Sequence, residues 1–280
     1  DDKSKFSWCR DTKKSALKGN VYLPNVENIR IASFRPFTKS YLYRDDFLNE
    51  QTYQIRKIFP SENTKNLAIG FSGRGHRGEF SSLMCDSIPG LYFASIDCSN
   101  FCSLKVFPDK KRADDLLTEK IYSDVKNQIS GVTDNALKYF RKFYEIENIT
   151  EEDVFFYVYG LFHSPDFKYR YYNDLKKDLP RIPPVTNLKT FNEFSIAGRK
   201  LSDLHVNYEA VDLYPVTFKE GDLQLANIPD PESFFRVEKM KPVKKGDLSS
   251  VIYNKNITIW IIYRCDSINL ILNIRINNAL

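Results

Sequence analysis

The 280-residue chain lacks a secretory start, because nothing in its first thirty residues pairs a basic segment with an apolar one. It opens on Asp1 rather than on methionine, and it reads as a fragment of a longer protein. A membrane helix is not expected either. The most apolar stretch, residues 257 to 280, is interrupted by Arg264, Asp266 and several asparagines. The five cysteines, Cys9, Cys85, Cys98, Cys102 and Cys265, are odd in number without a secretory signal, which predicts reduced thiols in a cytoplasmic protein. Structural zinc needs about four ligands. The histidine nearest in sequence to Cys98 and Cys102 is His76, so no metal site is expected.

The motifs of several enzyme classes are missing as well. There is no Gly-Lys-Ser/Thr loop for nucleotide hydrolysis, and no Asn- or Asp-Pro-Pro-Tyr motif of the kind amino-methyltransferases use on a flipped base. Pro183-Pro184 lies in Arg-Ile-Pro-Pro-Val, a different context. No Ser/His/Asp, Cys/His or paired-carboxylate arrangement stands out. His163 and His205 read as packed helix residues rather than general bases. No catalytic residue is assigned.

What is present is enough apolar material for a packed core, 42% of the chain with 14% aromatics, and a net charge of +5 that is unevenly placed. Residues 1 to 114 hold 19 Lys/Arg against 13 Asp/Glu, and the remainder holds 22 against 23. A local basic excess of this kind favours a polyanion such as DNA.

The pattern predicts an α+β fold with a strand-rich N-terminal half, a helical middle and short strands near the C-terminus. Short β-branched or aromatic runs at Ile29 to Phe34, Tyr41 to Tyr43, Leu67 to Phe71 and Leu91 to Ile96 mark the first part, residues 1 to 110. The charged segment from Pro108 to Leu117 reads as an exposed connection. Residues 111 to 213 are expected to form a helical bundle. Its helices start at Thr133, at Thr150 with a Thr150/Asp153 capping box, at Ser164-Pro165 running to Leu179, and at Leu188 running to Val211. Residues 214 to 256 form a closing α+β segment with strands at Val216 to Phe218, Phe234 to Glu238 and Ser250 to Tyr253. The atypical tail, 257 to 280, is expected to be poorly ordered.

One loop concentrates glycine and positive charge: Gly70-Phe71-Ser72-Gly73-Arg74-Gly75-His76-Arg77-Gly78. A dinucleotide or methyl-donor loop would need a helix directly after the last glycine, and Glu79 to Leu83 does not supply one. The alternative is a cationic hairpin tip suited to a DNA groove, since arginine can pair with guanine through two donors. Arg74, His76 and Arg77 are therefore candidates for groove contacts, and Lys39 and Arg44 for phosphates. Arg35, in Arg-Pro-Phe, reads as structural.

Several stretches, taken in order, resemble the C-terminal specificity domain of type ISP single-polypeptide restriction-modification enzymes. They are Phe34-Arg35-Pro36-Phe37 with Tyr41-Leu42-Tyr43, Leu48-Asn49-Glu50 and Ile58-Phe59-Pro60, then the run Asp153 to Pro165, Asp174 to Pro183, and Ala197 to His205. The likeness covers roughly residues 20 to 257. It implies a target-recognition domain for double-stranded DNA, joined to upstream methyltransferase and helicase domains that would bind S-adenosylmethionine, ATP and Mg, with no cofactor in this fragment and no membrane partner. Two alternatives remain open: the Gly70 to Gly78 loop completes an adenine-methyltransferase pocket, or the aromatic helices form a domain-docking module.

Overall fold

The computed structural model describes residues 10–45, 47–49, 52–107, 128–211, 216–218, 227–236, 240–245 and 247–261. They fall in two compact units, one running to Tyr208 and the other from Glu209. The first begins with α1 (Arg10–Leu17), β1 (Ile29–Arg35), β2 (Thr38–Tyr43) and α2 (Ile55–Ile58). Strands β3 (Ala68–Ser72), β4 (Ser82–Cys85), β5 (Ile88–Pro89), β6 (Ser99–Ser103), β7 (Lys105–Val106) and β8 (Ile129–Ser130) follow. Helices α3 (Asp134–Tyr144), α4 (Glu151–His163), α5 (Pro165–Arg170), α6 (Tyr172–Lys177) and α7 (Leu188–Val206) complete it.

The strands make two three-stranded sheets, β2-β1-β5 and β4-β3-β6, and a β7-β8 pair. Only β1 and β5 run parallel among these described pairs. Ala32, Phe59, Ala68, Cys85, Ile88, Phe93 and Ala94 form one apolar cluster that joins the sheets. The segment Leu91 to Ile96, expected as a strand, is a series of turns instead. Its backbone is diverted by a Phe93 N–H bond to Gly90 O at 3.1 Å, and Gly90 N–H bonds Ser33 O at 2.8 Å. The strand of this region is the less apolar Ser99–Ser103.

Helix α4 has almost no polar face. Eight of its thirteen residues are buried, and its start is held by the Thr150/Asp153 capping box. A helix apolar all round must be covered on every side. Helix α7 covers one side at very short range: a Cβ at Gly198 would lie 2.0 Å from Phe156 O, and one at Gly160 would lie 2.4 Å from Phe194 O. Glycine at both positions is what lets the two backbones meet. Around that seam Phe140, Tyr157, Phe191 and Phe194 pack edge to face or tilted, with Tyr157 and Phe191 centroids 4.8 Å apart. Tyr157 Oη donates to Pro183 O at 2.5 Å and Tyr144 Oη to Val185 O at 2.8 Å, which fixes the proline-rich connection against the bundle.

Helix α4 also carries the β4-β3-β6 sheet. Phe162 packs on Phe71 and Phe80, and Met84 N–H donates to Tyr159 Oη at 3.0 Å. The Tyr159 hydroxyl also shares a hydrogen bond with His205 Nδ1. The single helix expected from Ser164 to Leu179 is two, broken at Tyr171, and α7 stops at Val206 before a 3-10 turn at Tyr208–Ala210. The expected connection at Pro108 to Leu117 lies outside the described residues.

The second unit contains β9 (Val216–Phe218), α8 (Pro231–Phe235), β10 (Lys241–Lys244), β11 (Asp247–Ile252) and β12 (Thr258–Ile261), its strands forming an antiparallel sheet in the order β10-β11-β12-β9. Two expectations are corrected here. Phe234 begins no strand: Pro231 stands in the first turn and Asp230 accepts from Ser233 N–H at 3.1 Å, so the segment starts as a helix. The segment from Ile257 is ordered at its start, because Ile257 is buried and β12 is an inner strand of the sheet. Asn254 builds the turn into it, accepting the N–H groups of Asn256 and Ile257. Residues 262 to 280 lie outside the described residues.

Candidate nucleic-acid interface

Strands β3 and β4 are antiparallel neighbours, with Phe71 opposite Ser82, so the glycine-rich loop is a hairpin connection followed by a strand. The helix a nucleotide-binding glycine loop requires is absent there. Gly75 sits at the tip with φ +70°, a conformation glycine adopts without steric cost, and its N–H donates to Lys176 O at 2.8 Å. The tip is thereby docked on the end of α6. At its foot Gly73 N–H donates to Cys98 O at 3.2 Å.

The three candidates of the loop are placed differently. Arg74 and Arg77 are 64% and 76% exposed. Arg74 Nη2 lies 3.1 Å from Asp178 Oδ1, while Arg77 pairs with Asp97 at 2.8 Å. His76 departs from the expected presentation. Its side chain is 4% exposed, its Nδ1 bonds Gly73 O at 2.9 Å and its ring packs on Phe80. In this conformation the imidazole holds the turn from inside. Asp97, which no local signal ties to the loop, has its carboxyl held below the usual range by the N–H and guanidinium of Arg77.

Lys39 lies on β2 of the other three-stranded sheet, and Arg44 directly follows that strand. Lys39 Nζ is 5.4 Å from the ring centroid of Tyr208, beside Phe37, which takes a left-handed φ of +51° in the turn between β1 and β2. Arg44 is partly buried, its N–H donating to Asn28 O at 2.7 Å, and burial draws its guanidinium below the usual pKa. Arg35 lies over the rings of Phe34 and Tyr92 at 4.9 and 5.2 Å, a packing role.

Beside Arg74's partner a cavity of about 320 Å³ opens, floored by Phe167, Tyr171 and Leu175 and rimmed by Asp178 and Arg181. Apolar side chains are open elsewhere: Leu17, Val21, Leu23 and Val26 are about four-fifths exposed, and Ile29, Ile31 and Tyr41 lie exposed on one face of the β1-β2 ribbon. The histidines of the bundle are half-buried and pack against Tyr159 and each other. Burial lowers His163 to about 3 and His205 to about 4, and His163 Nε2 is buried without a hydrogen-bond partner. Among the described residues no group of three or more His, Cys, Asp or Glu could hold a metal ion, and no helix is long and apolar enough to cross a membrane.

Comparison with known proteins gives a consistent result. The sequence model of the Type ISP C-terminal specificity domain matches residues 1–263. Among solved structures, the ATP-dependent Type ISP restriction-modification enzyme LlaBIII bound to DNA superposes with a TM-score of 0.70 at 29% identity, covering 92% of this chain and 16% of that one. A nuclease-deletion mutant of the Type ISP enzyme LlaGI, in complex with a DNA substrate mimic, gives 0.65 at 33% identity over 91% of this chain and 20% of that one. The DrdV–DNA complex gives 0.71 at 26% identity over 91% and 23%. The chain thus spans between 16% and 23% of the length of these structures. No curated protein sequence matches it.

Proposed function

The chain belongs to the Type ISP C-terminal specificity domain family, and from that premise we propose that it reads the target sequence of duplex DNA within a larger restriction-modification polypeptide. The observation that carries this reading is the hairpin loop, which projects two mostly exposed arginines from a strand pair backed by the buried α4-α7 platform. Phosphate contacts position such a domain and base contacts specify its site. Arg74 and Arg77 supply the loop's contacts, and Lys39 and Arg44 supply phosphate contacts from the β1-β2 ribbon. His76 supports the loop from within.

In this reading the fragment contributes no catalytic group. Methyl transfer, ATP hydrolysis and cleavage, with S-adenosylmethionine, ATP and Mg, belong to other parts of the polypeptide, which works in the cytoplasm. The exposed apolar face of Ile29, Ile31 and Tyr41 on the β1-β2 ribbon supports a second role for the same domain, docking on those neighbouring parts.

Salt-titrated binding of the chain to randomised duplex DNA tests the proposal. The expected result is affinity that falls with salt by a log–log slope of about 0.9 per phosphate contact, together with enrichment of one sequence that an Arg74→Ala/Arg77→Ala variant loses. Absence of salt-dependent binding at low ionic strength would leave the docking role alone.

A further inference from the structure

Arg74 and Arg77 leave the same loop, yet their carboxylate partners hold them in different ways. Arg77 is gripped at its base. Its backbone N–H donates to Asp97 Oδ2 at 2.7 Å, its Nε–H donates to Oδ1 at 2.9 Å, and its Nη2 lies 2.8 Å from the same Oδ1. Both oxygens of Asp97 are therefore engaged by one residue. The Asp97 side chain is 25% exposed, so the carboxylate is the sheltered end of the pair and the guanidinium the open end.

The segment bearing Asp97 is itself fixed. Asp97 N–H donates to Ser95 Oγ at 3.3 Å, and Cys98 O accepts the N–H of Gly73. A Cβ at Gly73 would lie 2.6 Å from Cys98 O, so the two segments approach at backbone distance. Arg74 has no comparable grip. Among the described residues its carboxylate partner is Asp178, which also lies 3.8 Å from Arg181. An exposed pair of that kind exchanges readily for a phosphate.

A guanidinium has five N–H donors in a rigid plane. With Nε and one edge of Nη2 turned to Asp97, the outward edge formed by Nη1 and Nη2 remains. Two parallel donors at that spacing match O6 and N7 of guanine in the major groove. Holding the side chain in one rotamer beforehand also removes part of the ordering cost of binding. The charge on Asp97 has a further effect, because it opposes the phosphate backbone and so penalises complexes in which no base accepts the fork.

We infer that Arg77 is the base-reading residue of the loop and takes a guanine through its Nη1/Nη2 edge, with Asp97 as its positioning residue, while Arg74 contacts phosphate. This rests on the DNA-recognition reading above. That Asp97 is stabilised as the carboxylate by Arg77 agrees with it.

The test is selection from a randomised duplex library by the wild-type chain and by Arg77→Ala, Arg77→Lys, Asp97→Ala and Arg74→Ala. Each protein is then titrated on the enriched duplex and on a shuffled one. Wild type is expected to enrich a site containing a guanine whose preference disappears in Arg77→Ala, with roughly tenfold weaker binding of the enriched duplex. Arg77→Lys keeps the charge and loses the fork, so it should keep the salt slope and lose the same guanine. Asp97→Ala should relax preference at that one position while binding the shuffled duplex as well as wild type or better, an outcome that a collapsed loop would not give. Arg74→Ala should weaken both duplexes alike and lower the salt slope by about one. Selection by wild type that survives Arg77→Ala, or equal weakening on both duplexes in Asp97→Ala, overturns the inference alone. No salt-dependent binding by wild type overturns the DNA reading and the inference with it.

Discussion

The α4-α7 seam and the β3-β4 loop use glycine to opposite ends. In the seam, Gly160 and Gly198 remove side chains so that two backbones meet without solvent, and the surroundings are aromatic rings. In the loop, Gly75 permits a turn that carries charged side chains outward, held by ion pairs whose guanidinium ends remain largely in water. Close packing is intolerant of added volume, whereas exposed ion pairs contribute little to stability. The molecule thus separates a rigid support from a surface that can exchange its partners.

The sharpest way to break this contrast is Gly198→Ala. A methyl group there would stand 2.0 Å from Phe156 O and 2.8 Å from Gly160 N, both backbone atoms that cannot move aside. The expected loss is about 3 kcal/mol or more, read as the shift in urea midpoint, and an unchanged midpoint would show that the helices separate without cost.

A second effect is acid sensitivity of the platform. His163 and His205 are half-buried, with folded pKa values of about 3 and about 4, below the ordinary value near 6.5 in the unfolded chain. Because the unfolded chain then binds protons that the folded one refuses, their contribution is fully present above pH 6.5 and is lost as pH falls toward 4. The slope approaches about 1.4 kcal/mol per pH unit for each histidine. Urea midpoints between pH 7.5 and 5 should fall accordingly, and His163→Phe, at a site where Nε2 has no partner, should flatten the dependence.

The smallest expected change lies in the loop. Replacing Arg74 and Arg77 together by alanine should alter stability by less than about 0.5 kcal/mol, measured by the same unfolding curves, even where DNA binding is lost. A large destabilisation would place the loop's ion pairs among the structural supports and erase the distinction.

How much of this was legible in the sequence depended on the range of the interaction. The Thr150/Asp153 capping box and the all-apolar run after it marked α4, because caps and periodicity are local. Glycines followed by no helical pattern marked the loop as a hairpin. The turns at Leu91 to Ile96 are not legible in the sequence, since Phe93 and Ala94 enter the core from irregular backbone that hydrophobicity alone cannot distinguish from a strand. The helix at Pro231 has local start signals in Asp230 and Pro231, which the aromatic Phe234-Phe235 pair after them outweighs as a strand signal.

For the candidate site, the sequence by itself determined a short cationic turn with arginines at 74 and 77, because glycine spacing and charge are properties of neighbouring residues. It also determined that a helix as apolar as α4 must be enclosed. Only the tertiary structure decided that His76 turns inward, that Asp178 meets Arg74 and that Asp97 grips Arg77. Those pairings join segments distant in the chain, and they exist because the β4-β3-β6 sheet and the end of α6 bring their backbones within hydrogen-bond reach of one loop.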